Sequence, residues 1–273
     1  MNQNNRIINY DTVNSNKINN NAFNTTIPLN QSLNRIKEVY LRSIELSPIT
    51  NFRAPYNIFH YTIIFTFLAM TPVVTRYSFT MPEKNYTSIS SFLIDLNAAI
   101  VTNIQPRMLS SEIAPIFSLS TTDSNKLSIT YSYISSTITF HDEGIINYYL
   151  GRGLFTTPIV SGSTTKTATM QFLNYYNLNF DSYVNLYFSN ISSINKNNNN
   201  YPCDFKIIMM SNSLSYSFNN EVSCNQYIEI TNIECLNTLC LSIFDRYNNL
   251  LYSIHDFSFT LEYQFKKKCN YTI

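Results

Sequence analysis

A chain of 273 residues that is 44% hydrophobic can bury a sizeable core, as one large β domain or two smaller ones; we read one domain. Charged residues make up only 13% and the formal net charge is +1, which excludes the electrostatic footprint of a nucleic-acid groove. Asn, Ser and Thr fill the polar positions, and such a weakly charged surface suits a protein covered by neighbours, because packed copies repel little.

The N-terminal stretch MNQNNRIINYDTVNSNKINN has no apolar run of signal-peptide length. Residues 1–34 read as an Asn-rich arm with one strand-like patch, AFNTTIPL at 22–29. This composition buries too little apolar area to offset chain entropy, so the arm is expected to be disordered or to order on a neighbouring subunit. Residues 35–273 are expected to form the single domain. From Ile36 the period is two, with Ile36, Glu38, Tyr40, Arg42 and Ile44 on one face and Lys37, Val39, Leu41, Ser43 and Glu45 on the other. YTIIFTFLAM at 61–70 is too short for a helical membrane span and reads as a buried strand. In the next strand Tyr77, Phe79 and Met81 alternate. Ile89, Phe92, Leu93, Leu96, Ala99 and Ile100 then recur at helical spacing behind a Thr/Ser start, predicting one short amphipathic helix near 88–100.

Short strands follow: PIFSLST, KLSITYSYI, STITFHD and NYYLGRGLF, the last with two of the four glycines around Arg152. Glycines this scarce mark required backbone geometry. SGSTTKTATM reads as a loop or edge strand, SYVNLYFSNIS as a strand with Val184, Leu186 and Phe188 on one face, and INKNNNNYP as a loop. CDFKIIMM, LSYSF, QYIEIT, TLCLSIF and FSFTLEYQF complete the series, so the predicted class is an all-β sandwich. Cys203, Cys224, Cys235, Cys240 and Cys269 have irregular spacing and no matching histidines, and are expected to be reduced thiols.

No catalytic, cofactor-binding or metal-ligating residue is nominated. His60, His141 and His255 lie in no nucleophile or metal motif, and the contiguous His141, Asp142 and Glu143 cannot converge on one ion without a sharp turn. No phosphate loop, GxSxG or HExxH occurs. Sequons at Asn24, Asn85, Asn190 and Asn270 are expected by chance in this composition, and Lys266, Lys267 and Lys268 form the only basic run. The 21 tyrosines could make a sugar platform, although strand aromatics more often serve core or interface.

Taken in order, several segments resemble one family. NYDTVNSNKINNNAFNTTIPLNQSLNRIKEVYLRSIELSP is similar to its opening, and YSFTMPEKNYTSISSFLIDLNAAI to its strand, turn and helix. FSLSTTDSNKLSITYS is similar to a hairpin placed after that helix, IINYYLGRGL to a Leu-Gly motif, and LNTLCLSIFDRYNNLLYSIHDFSFTLEYQ to the closing strands. The family is that of single jelly-roll capsid proteins, pentons and minor capsid proteins, of large double-stranded DNA viruses, virophages and polinton-like viruses. Lys84 in EKNYT stands where the family usually has Gly, and Asn248 in DRYNN is in a similar position, although Asn tolerates positive φ. In that closing segment Asp245 to Asn249 are expected to close a hairpin, and Phe257, Phe259 and Leu261 to enter the core.

The resemblance implies a jelly-roll β-sandwich and a non-enzymatic structural protein without cofactors. It would be a penton forming homopentamers at five-fold vertices of an icosahedral capsid, or a minor capsid protein linking or underlying capsomers. Its implied partners are copies of itself, major capsid double jelly-roll trimers and other minor capsid proteins, with no nucleic-acid specificity and with an internal membrane nearby in some relatives. Its implied location is the virion, assembled in the host cytoplasm or a virus factory. Two rival classes remain: a receptor- or carbohydrate-binding sandwich such as a fibre head, and a hydrolase with two close carboxylates or a metal.

Overall fold

The computed structural model describes residues 5–47, 49–66, 71–151, 159–162, 164–178, 181–191, 203–209, 216–219, 227–230 and 234–266. Arg152, Gly153, the Asn-rich loop at 194–202, Cys224, Cys269, Lys267, Lys268 and Asn270 lie outside the described residues, as does the end of the 61–70 strand. The fold is all-β, as the alternation predicts, and of the β-sandwich, jelly-roll class that the resemblance implies. It begins with β1 (Asn5–Asp11), β2 (Asn16–Ile18), β3 (Asn21–Asn34) and β4 (Ile36–Leu46). Next come β5 (Ile58–Phe65), β6 (Val73–Thr80), helix α1 (Ile89–Asn103), β7 (Ile113–Leu119), β8 (Leu127–Tyr133), β9 (Ser136–Phe140), the one-turn helix α2 (Ile145–Tyr148), β10 (Ile159–Ser161) and β11 (Lys166–Gln171). β12 (Tyr183–Phe188), β13 (Phe205–Ile208), β14 (Tyr216–Asn219), β15 (Tyr227–Glu229), β16 (Cys235–Phe244) and β17 (Ser258–Phe265) complete it. Where the sequence suggests one domain, the chain divides into two compact units, Met1–Ile49 with Asp181–Ile273, and Thr50–Phe180.

In the first unit one sheet runs β1-β17-β4, with β14 and β15 both on the far side of β4, and the other runs β13-β12-β16-β3-β2. Their inner faces meet in one apolar cluster, with Phe188 5.9 Å from Phe259 and Phe23 5.5 Å from Phe257 between ring centroids. Residues 5–34 are therefore strands rather than an arm. β1 pairs with β17 from Asn5↔Gln264 to Asp11↔Ser258, and Ala22, Phe23, Ile27 and Leu33 of β3 are buried. Composition misleads here because it counts local apolar content, whereas ladders to distant strands satisfy these Asn-rich backbones, and Tyr10, Ala22, Phe23, Ile27 and Leu33 reach the core although Ile7, Val13 and Ile18 stay exposed. β2 and β3 form a hairpin in which Ile18 pairs with Asn21 and the intervening Asn19 and Asn20 have φ of 54° and 57°, values that Asn accepts readily.

The Asp245 turn forms as expected. Asp245 Oδ1 accepts from the Tyr247 and Asn249 amides at 2.8 and 2.9 Å, and Asn248 has φ 67°. It does not, however, join two strands of one sheet. After a single Phe244↔Leu250 bridge the chain crosses over, so β16 and β17 lie in opposite sheets. Phe257, Phe259 and Leu261 enter the core as predicted.

In the second unit the sheets are β6-β5-β9 and β10-β11-β8-β7. Phe59 and Phe140 both pack on Phe117, at 5.8 and 5.9 Å, and Phe52 packs on Phe92 and Tyr149 at 5.2 and 4.7 Å. Helix α1 begins where predicted, the Ser88 hydroxyl accepting from the Ser91 amide at 3.2 Å, and buries Phe92, Leu93, Leu96 and Ile100. NYYLGRGLF was expected to be a strand, yet its start is helix α2. The helix is entered through Gly144 at φ 53°, where a Cβ would sit 2.1 Å from the Ile58 carbonyl oxygen. β11 is an inner strand between β10 and β8, whereas the sequence suggests a loop or edge.

Candidate assembly surfaces

The residues that chemistry would single out are brought together only in part. Glu143 N donates to His141 O at 2.8 Å, so the sharp turn that the contiguous triad requires does exist. It aims Glu143 at Arg76, whose guanidinium donates to both carboxylate oxygens at 2.9 Å, while His60 Nε2 lies 3.7 Å away. His141 Nε2 instead shares a 2.7 Å hydrogen bond with Thr62 Oγ1. Among the described residues no group of three or more His, Cys, Asp or Glu side chains could hold a metal ion. Cys203, Cys235 and Cys240 are free thiols, and burial beside Asp204 pushes the Cys203 thiol up to about 11, far from a reactive thiolate.

One tyrosine pair is committed to contacts within its own sheet. On the outer face of β4, Tyr40 stacks on Tyr227 at 5.4 Å, lies under the Arg42 guanidinium at 5.6 Å and donates to Glu38 at 2.6 Å. Arg42 pairs in turn with Glu262, which also accepts from Asn5 at 2.6 Å. Burial, then the bond to Glu38, pushes the Tyr40 phenol up to about 12, so it stays a neutral donor.

Sheet edges and faces carry the more distinctive features. At the β7 edge two side-chain amides of the neighbouring helical segment replace a strand. Asn97 accepts from Phe117 N at 2.8 Å and donates to Phe117 O at 2.9 Å, and Gln105 accepts from Ala114 N at 2.7 Å and donates to Glu112 O at 2.8 Å. This edge is thereby closed to further pairing. Among the described residues no strand pairs with the outer edge of β1, β10 or β13. Beside β1 lies a groove of about 310 Å³ lined by Arg6, Ile8, Tyr10, Ile27, Leu29 and Leu33.

The outer face of β10-β11-β8-β7 is a charge-free lattice. Cross-strand pairing aligns Ile116, Thr130, Thr169 and Ile159 in one row and Ile113, Ser132, Thr167 and Ser161 in the next. Thr130 and Thr169 hydroxyls meet at 3.3 Å, Ser132 and Thr167 at 3.1 Å, and isoleucines flank them, Ile159 being 76% exposed. Helix α1 separately exposes Ile94 and Val101. Sequence reasoning misses this surface because SGSTTKTATM reads as a loop or edge strand rather than an inner one; the Thr alternation at Thr165, Thr167 and Thr169 is the available signal.

No family model matches the chain, and no curated protein matches it. Among solved structures it is similar to a crystal structure of the selenomethionine-labelled mavirus penton protein, at 15% identity and a TM-score of 0.47, over 96% of this chain and 100% of that one.

Proposed function

We propose that this protein is a structural coat subunit of an icosahedral virus, the penton that closes into homopentamers at the five-fold vertices. The observation that carries the reading is the charge-free Ser/Thr lattice flanked by isoleucines. Such a face loses little on desolvation and gains from apolar contact, as the buried centre of a subunit interface does. The ordered motif resemblance supports the same reading: YSFTMPEKNYTSISSFLIDLNAAI falls on β6, a turn and α1, and FSLSTTDSNKLSITYS on the β7–β8 pair directly after that helix. The mechanism is geometric. Each copy offers one patch to the neighbour on its left and a different patch to the one on its right, so five copies close with no contact unmet. The remaining partners are the major capsid trimers around the vertex, and the site of residence is the virion.

The test is the mass of the purified protein in solution, together with its position in a virion reconstruction. Five copies at the vertices are expected. Placement beneath or between capsomers would assign the minor capsid role instead, and a strict monomer absent from particles would overturn the reading.

A further inference from the structure

We propose that His60, His141, Arg76 and Glu143 form an acid-operated latch on the outer face of the β6-β5-β9 sheet, in which protonation of the histidines draws Glu143 from Arg76 and frees the end of β9 from β5. The two histidines face each other one step beyond the Tyr61↔Phe140 pair, where His141 N donates to His60 O at 3.1 Å. That bond is the last rung of the β5–β9 ladder before the 141–143 turn leads into Gly144 and the buried Ile145 and Ile146 of α2.

Near neutral pH the face is balanced. Arg76, across from Thr62 on β6, is neutralised by its two-pronged pair with Glu143. Each added proton leaves this face one charge more positive. A charged His60, 3.7 Å from Glu143, competes with Arg76 for the same carboxylate. A charged His141 would then stand beside Arg76 and His60 with that carboxylate already shared. The facing positions Thr62, Ser78 and Thr139 carry no charge, and Asp142, the other acid of the turn, is exposed to water. Burial first, then Arg76, holds His141 below its ordinary value against the opposing pull of Glu143, while His60 adds to the lowering. The folded state therefore resists this proton more than the unfolded chain does. The stability it contributes is full above the ordinary value of 6.5 and is lost as pH falls from there through the lower folded value.

Amide hydrogen exchange on the intact protein at pH 7.5 and 5.0, corrected for intrinsic rates, tests the latch. Protection at β9, the 141–143 turn and α2 is expected to fall severalfold more than in β8 and β11, because only the former hang on the His60–His141 rung. The double variant His60→Gln with His141→Gln is expected to hold its protection constant across this range. Arg76→Gln, which removes the competing cation, is expected to raise the His141 titration midpoint measured by NMR and to blunt the acid loss. Uniform loss across the unit, loss unchanged in the double variant, or a His141 midpoint unmoved by Arg76→Gln would each overturn the proposal.

Discussion

Glu112 shows how much order a single buried carboxylate can impose. It is 2% exposed and accepts from the Ile134, Ser135 and Ser136 amides at 2.7, 3.0 and 3.0 Å, from the Ser136 hydroxyl at 2.5 Å and from the Leu109 amide at 3.1 Å. Burial alone would raise its pKa, but the Ser136 hydroxyl and the three β8–β9 amides together outweigh burial and hold it below the ordinary 4.5. Its contribution to stability is thus fully present above 4.5 and disappears as pH drops through the lower folded value. Glu112→Gln is expected to cost about 2–4 kcal/mol at pH 7, by urea denaturation, and to flatten the stability profile below pH 4.5. Nothing in SEIAP announces this role, because four of the five bonds come from residues more than twenty positions away and only the Leu109 amide is local. Asn248 is the opposite case: DRYNN is a turn on its face, and its positive φ follows from local chemistry alone.

At the level of elements, β4 shows what period-two reading can and cannot find. The strand was legible, but its faces were not. The buried set is Ile36, Val39, Leu41, Ile44 and Leu46, because register against β17 slips once around Arg42 and again around Lys37, and each bulge returns the apolar residues to the core side. A bulge depends on the partner strand, which the sequence of β4 does not contain. The α1 helix was legible to within a few residues because its stripe and Ser88 cap are local, yet the second task of its polar face was hidden. Asn97→Leu would remove both bonds to Phe117 and open the β7 edge. We expect a loss of about 1–3 kcal/mol by thermal or urea unfolding, and a rise in light scattering at equal concentration, while Asn97→Gln recovers part of each.

Over the whole molecule, the least legible feature is the division of the chain. The most linker-like stretch, INKNNNNYP at 194–202, does not coincide with either boundary, and no comparable polar run marks the chain near residues 50 and 180. Local periodicity reports which residues turn inward, not which core they share. The second unit is continuous in sequence and has its own aromatic core, so a polypeptide of residues 50–180 is expected to fold alone, with β-type circular dichroism and a cooperative melt. A featureless melt would show that its core needs the flanking strands. The first unit has no such independence, being assembled from both ends of the chain.

The pairing of Asn5 with Gln264 sets a timetable for biosynthesis. At ribosomal speeds of about 5–20 residues per second, β1 emerges roughly 10–50 s before the strand that will cover it. Throughout that interval β1 and β4 await β17, and the nascent chain exposes a ready template for stray association. A factor that holds the nascent chain would limit such association until β17 is made.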